Sequence, residues 1–170
     1  MGALSEALGS RPLLLPGSNG SPDLSLGLDV LQDVVPGVGA LGGILTAVEA
    51  AAPVVCVAWD MPFVPAGLLR ELAAAIEGGA ADVVVPESGS LLGIEPLCAA
   101  YGPACGPAAR AALQRGDRRA YAFHGSVRVT RLPLDAVLKY GDPDVLFLNV
   151  NTPEDLQRAE AVCRDHGSSR

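Results

Sequence analysis

Three short phrases hold residues whose types and spacing could do chemistry. In VVCVAWDMPFVPAGLL, residues 54–69, an apolar run ends on one carboxylate, Asp60, and two prolines fix the turn that follows. An acid in that position is either a turn or cap residue or a metal or phosphate ligand at the carboxyl edge of a parallel sheet. In FLNVNTPEDL, Asn149 and Asn151 are two apart, so an extended segment would send both amides out of one face. Such a pair, at a strand end before a helix, serves either local turn hydrogen bonds or recognition of a polar heterocycle. In GVGALG, residues 37–42, glycines open a helical pattern and would let a ligand approach the backbone closely. Together with Asp60 this phrase imitates the dinucleotide-binding fingerprint. The imitation is poor: LDVLQDVVP, broken by Gln32, Asp33 and Pro36, makes a weak first strand, and a ribose-binding acid should not be followed by MPFVP.

The elements that must position these residues alternate. Short strands are expected at Leu13–Leu15 and Leu28–Leu31, with the turn-rich PGSNGSPD between them. A helix is expected from Ile44 to about Ala51, a buried strand at Pro53–Trp59, and a helix over Pro65–Glu77 with Leu68, Leu69, Leu72 and Ile76 on one face. Strands follow at Asp82–Pro86 and within Leu92–Tyr101, then a helix near Pro107–Arg115 and strands at Val127–Leu132 and Val145–Val150. Thr152 should cap a last helix, with Pro153 at its first position and Glu154 and Asp155 complementing its dipole. The end, DHGSSR, is expected to fray. Strands alternating with helices mean an α/β chain with a mostly parallel sheet.

Composition narrows the function classes. The 170 residues fit one domain, 49% of them are hydrophobic, and the net charge is −7. An acidic chain without a long basic run has no global field for nucleic acid. One lysine, Lys139, stands among the basic residues, so a phosphate would be gripped by backbone N–H groups, single arginines or a divalent metal. Cys56, Cys98, Cys105 and Cys163 have no C-x-x-C spacing and read as free, mostly buried thiols of a reducing compartment. His124 and His166 stand alone, which argues against zinc. No window approaches the roughly 18 apolar residues of a membrane span, and MGALSEALGS lacks a signal-peptide pattern. A cytoplasmic protein is expected.

DVVPGVGALGGILTAVEAA, VVCVAWDMPFVPAGLLREL, EPLCAAY and FLNVNTPEDLQRAE occur in this order, and together they resemble the molybdenum cofactor guanylyltransferases from about Leu13 to Glu160. The resemblance implies a three-layer, Rossmann-like nucleotidyltransferase fold and transfer of GMP from GTP to the phosphate of molybdopterin, with release of pyrophosphate and a need for Mg²⁺. By position it implies that Asp60 holds the magnesium. Asp33, Gly39, Leu41 and Gly42 fall on the nucleotide side, with Ala40 where the family has proline. Asn149 and Asn151 fall on the pterin side. Glu95-Pro96-Leu97 matches a family phrase and reads mainly as structural. Nothing in MGALSEALGSRPLLLPGSNG resembles the family's opening strand and triphosphate loop, and Arg11 is a poor substitute for the basic residue of that loop. Residues 1–170 are therefore expected to form a single domain lacking that strand and loop, with a sheet edge or gap that invites self-association. Molybdoenzymes or cofactor-assembly proteins are further implied partners. The alternatives are a non-catalytic pterin- or nucleotide-binding scaffold and a related enzyme using CTP.

Overall fold

The computed structural model describes residues 13–15 and 29–167; Arg11, the PGSNGSPD turn and Leu28 lie outside them. Strands β1 (Leu13–Leu14) and β2 (Asp29–Val30) pair in parallel as a small sheet. Helix α1 (Ala40–Ala51) leads to β3 (Val54–Val57), α2 (Ala66–Glu77) to β4 (Val83–Pro86), and β5 (Cys98–Tyr101) to α3 (Cys105–Gln114). A 3₁₀ turn (His124–Ser126), β6 (Val129–Leu132), two short helices α4 (Leu134–Val137) and α5 (Pro143–Leu146), and α6 (Pro153–Gly167) complete the order.

The main sheet has the order β3-β5-β4-β6. Strands β3, β4 and β6 share one direction, and β5 runs against its two neighbours. The expected mostly parallel sheet is thus present in strand direction, with one reversed strand inserted. That reversal matters for function. It brings the start of β5 (Cys98) opposite the end of β3 (Val57), so the loop before β5 joins the carboxyl edge of the parallel strands.

Alternation along the strands builds three layers. Val83, Val85, Ala99 and Tyr101 face one layer with Leu41, Ile44, Leu45 and Val48 of α1 and Cys105, Ala109 and Ala112 of α3. Val84, Cys98 and Ala100 face the other with Leu68, Leu69, Leu72 and Ile76 of α2. Burying each such leucine fully contributes roughly 1.5–3 kcal/mol, which makes the sheet the rigid part of the molecule. The thiols of Cys56, Cys98 and Cys105 belong to these cores, and burial pushes each up to about 12. Among the described residues no helix is long and apolar enough to cross a membrane.

Two elements differ from expectation. Helix α1 starts at Ala40 rather than Ile44, because Gly39 (φ +70°) turns the chain and Gly42 is accommodated within the first helical turns. The expected strand at Val145–Val150 is not a strand. Asp142 Oδ1 accepts from Asp144 N (3.0 Å) and Pro143 sits at a first-turn position, so the apolar run begins as α5. Phe147 N donates to Pro143 O and Leu148 N to Val145 O, which uses helical pairing where a ladder was expected. Short apolar runs suit a buried helix turn as well as a strand, and here the cap decides.

Candidate active site

The turn after β3 fixes the backbone around the lone acid. Met61 N donates to Ala58 O (3.2 Å), Met61 is buried in the α2-side core, and Asp60 lies inside the turn this closes. Ala58 N is held by Leu97 O (2.7 Å), and Asp60 O accepts from Val150 N (2.9 Å). The acid is therefore pinned by its own backbone to the chain carrying Asn149 and Asn151. Trp59, one residue before it, is 85% exposed.

Asn149 and Asn151 line one cleft, although a loop rather than a strand presents them. The cleft of about 430 Å³ is also lined by Ser88, Ser90, Glu95 and Arg158. Its floor at the start of α6 is rigid. Thr152 Oγ1 accepts from Asp155 N (3.1 Å), while Asp155 Oδ2 accepts from Thr152 Oγ1 (2.9 Å), Thr152 N (3.0 Å) and Asn151 N (3.2 Å). This is a reciprocal cap. The Thr152 hydroxyl first, then the Asn151 N–H, holds the Asp155 carboxyl below its usual range.

Val150, between the asparagines, lines a second cleft of about 610 Å³ with Trp59, Asp60, Phe63 and Leu156. The strip 149–151 thus separates a polar cleft from a largely apolar one, and Asp60 lines the apolar one. Glu95 approaches Asp60 from the polar side. Burial raises the Glu95 carboxyl above its usual range; the Leu97 N–H opposes this and the Asp60 charge adds to it.

The remaining candidates gather at the start of α1. Gly39 precedes the helix with no side-chain cap, and Gly42 N and Gly43 N bond back to Gly39 O at 2.9 and 3.3 Å. Thr46, 3% exposed, braces this turn: its hydroxyl donates to Gly42 O (2.8 Å) and accepts from Val34 N (3.0 Å). One oxygen of Asp33, next to Val34, is sealed from solvent with no hydrogen-bond partner among the described residues. An orphaned buried acceptor calls for a ligand, ion or water. Leu41 is fully buried, main chain included, so it belongs to the core beneath the turn. Gly42 is a packing residue: a Cβ there would lie 2.5 Å from Val38 Cγ2.

The candidates form two groups, the Asp60–asparagine group and the glycine-turn group. Sequence reasoning did not single out Ser88, Ser90 or Arg158, which resemble ordinary loop and helix-surface residues. Glu95 carried a signal, an acid fixed before a proline at the start of a buried strand, but the reversed strand that aims it at the site was not visible. No cluster of three or more His, Cys, Asp or Glu able to hold a metal occurs among the described residues.

Residues 9–129 match the model of the MobA-like NTP transferase domain. The chain is 36% identical over 149 residues to a probable molybdenum cofactor guanylyltransferase of Pelotomaculum thermopropionicum, covering 86% of this chain and 71% of that protein. It is 35% identical over 185 residues to a molybdenum cofactor guanylyltransferase of Cereibacter sphaeroides, covering 94% and 87%. The fold is similar to that of molybdopterin-guanine dinucleotide biosynthesis protein A from Archaeoglobus fulgidus, with a TM-score of 0.80 and 26% identity over 96% of this chain and 84% of that one. With nearly three-quarters of its length inside the domain model, the chain belongs to the MobA-like NTP transferase family of nucleotidyltransferases.

Proposed function

We propose that the protein transfers GMP from GTP to the phosphate of molybdopterin in molybdenum cofactor maturation. The observation that carries this reading is the bond from Val150 N to Asp60 O, which ties the backbone of the strand-end acid to the residue between the two asparagines. In the reaction an oxygen of the pterin-borne phosphate forms a bond to the α-phosphorus of GTP. The bond from that phosphorus to the bridging oxygen breaks, its electron pair goes to the β-phosphate, and pyrophosphate leaves. Such transfers depend mainly on alignment and charge neutralisation.

Asp60 suits Mg²⁺, which takes one or two carboxylates and completes its shell with substrate phosphates and water. When bound, the ion supplies neutralisation of charge around the α-phosphate. The residues of this chain do the positioning. Asn149 and Asn151, donors and acceptors both, orient the pterin from the polar cleft. Gly39, exposed at the head of α1, admits the nucleotide closely, with Leu41 packed beneath it and Asp33 on the segment alongside. The sealed oxygen and the rigid cap at Asp155 support two pre-formed, separate subsites.

The test is calorimetric titration of GTP and CTP with Mg²⁺, followed by pyrophosphate release on adding molybdopterin. Magnesium-dependent binding of GTP over CTP, with turnover, is the expected result. Binding without turnover would replace the enzyme by a pterin- or nucleotide-binding scaffold, and a preference for CTP would change the donor.

A further inference from the structure

The polar cleft contains an acid to which the proposed chemistry gives no task. Glu95 lines it together with Asn149 and Asn151. Its main chain is fixed on both sides, with Glu95 N donating to Pro86 O (3.0 Å) and Cys98 N donating to Glu95 O (3.1 Å). Tyr101, fully buried, donates to Pro96 O (2.6 Å) and locks the following residue. The side chain therefore starts from a rigid point on the sheet. None of the ion pairs among the described residues includes it.

The other two acids of the cleft are differently placed. Asp155 accepts three hydrogen bonds in the cap of α6. Asp144 is exposed and packs its Oδ1 against Gly89, where a Cβ would meet it at 2.8 Å. Glu95 is the half-buried acid that lines the cavity, with the Leu97 N–H on one side of its carboxylate and no ion-pair partner among the described residues. Two carboxylate oxygens side by side match paired donors, the complementarity seen in fork-like carboxylate recognition. A 2-amino-4-oxopyrimidine ring, the ring of a pterin, offers such a pair: its N3–H and its 2-amino group leave one edge together. Its 4-oxo group needs a donor, which an asparagine amide supplies. A cleft of about 430 Å³ is of the size used for small ligands.

We infer that Glu95 is the specificity residue of the pterin subsite, accepting the N3–H and 2-amino hydrogens of the ring while Asn149 or Asn151 donates to its 4-oxo oxygen. The inference rests on the pterin-side reading of the polar cleft. It goes beyond that reading by assigning the ring edge and the residue that reads it. A site that hydrogen-bonds a particular group rejects the analogue lacking it, because the site's own polar atoms are then left unpaired.

The test compares 6-hydroxymethylpterin monophosphate with the corresponding lumazine phosphate, in which the 2-amino group is replaced by oxygen, in wild type and Glu95→Gln. The wild type should prefer the pterin by about tenfold or more, the loss expected for a charge-assisted hydrogen bond. In Glu95→Gln, whose amide donates to a 2-oxo group, the preference should disappear or invert. The thermal midpoint should stay within error. Equal wild-type affinity for the two ligands overturns the inference without needing the variant. A preference that persists unchanged in Glu95→Gln overturns it too. Binding of neither ligand by wild type overturns the pterin-side assignment itself, and the inference with it.

Discussion

The two halves of the site are made of different material. At the head of α1 the working parts are backbone: Gly39 at φ +70° and ψ −149°, helix N–H groups, and Thr46, whose buried hydroxyl stitches residue 34 to the helix. At the polar cleft they are side chains on a loop, Asn149 and Asn151, stiffened from below by the Thr152–Asp155 cap. A backbone-built subsite depends on chain geometry and tolerates few changes of conformation. One built of side chains depends on particular atoms and should tolerate changes that keep them. Asp60 belongs to neither kind alone, since its backbone is tied to the loop while the residue lines the neighbouring, largely apolar cleft.

Replacing that residue should have the largest effect and should not respect the division. Asp60→Ala is expected to lose magnesium-dependent GTP turnover by at least about a hundredfold, since metal stabilisation of a phosphoryl transition state contributes several kcal/mol. Steady-state pyrophosphate release measures it, and retained magnesium dependence in the variant would remove Asp60 from the metal site. Gly39→Ala should separate the halves. Its backbone lies where essentially glycine alone is at ease, so alanine costs about 1–3 kcal/mol of strain. GTP affinity should fall by about tenfold or more while pterin affinity holds. Equal loss of both would mean the two subsites are one cooperative unit.

The sequence made the backbone side more legible than the side-chain side. Glycines at 37 and 39, both at positive φ, advertise a turn whatever surrounds them, because their reason is local sterics, whereas Gly42 is required by its packing on Val38. The three-layer core was legible for the same reason: Leu68, Leu69, Leu72 and Ile76 repeat at helical spacing, and all four are buried. The loop before α6 hid its shape. Its VLFLNV run fits a strand, and only the Asp142–Pro143 cap, acting against the apolar pattern, makes it helical. Glu95 was hidden by topology, because nothing local says that β5 runs against its neighbours. Long-range pairing decides which loops meet, and a local pattern does not encode it.

Thr46→Val sharpens the comparison with a smaller effect. Valine keeps the shape but removes both hydrogen bonds of the hydroxyl, leaving Val34 N unpaired. The bond at Val34 N is only part-buried, so its loss costs about 0.5–1.5 kcal/mol. The thermal midpoint should fall, and GTP affinity should weaken further as the segment bearing Asp33 loosens. Pterin affinity should not change. A uniform loss on both sides would show that the brace serves the whole core rather than the glycine turn.

The smallest effect concerns the ground beneath both halves. His124 packs edge-on against Phe123 (5.0 Å between ring centres) and near Tyr101 (6.4 Å), the residue that also locks the loop of Glu95. Its Nε2 is buried with no hydrogen-bond partner among the described residues. Burial first, and the Arg131 charge second, lowers its pKa from 6.5 to about 4. Between those values the unfolded chain takes up a proton that the folded chain refuses, so the folded state loses stability as pH falls through that window. The neutral ring's contribution is complete above 6.5 and has gone below about 4. Partial exposure screens the effect, and the carboxylates add slopes of their own, so the useful quantity is a difference. Thermal midpoints of wild type and His124→Phe, measured from pH 7 to pH 4, should diverge within the window, with the variant falling less. Parallel curves would mean that His124 takes up its proton as readily in the folded state as in the unfolded one. The Tyr101 contact would then be reached by a charged ring, and the rigid footing argued for Glu95 would itself depend on pH.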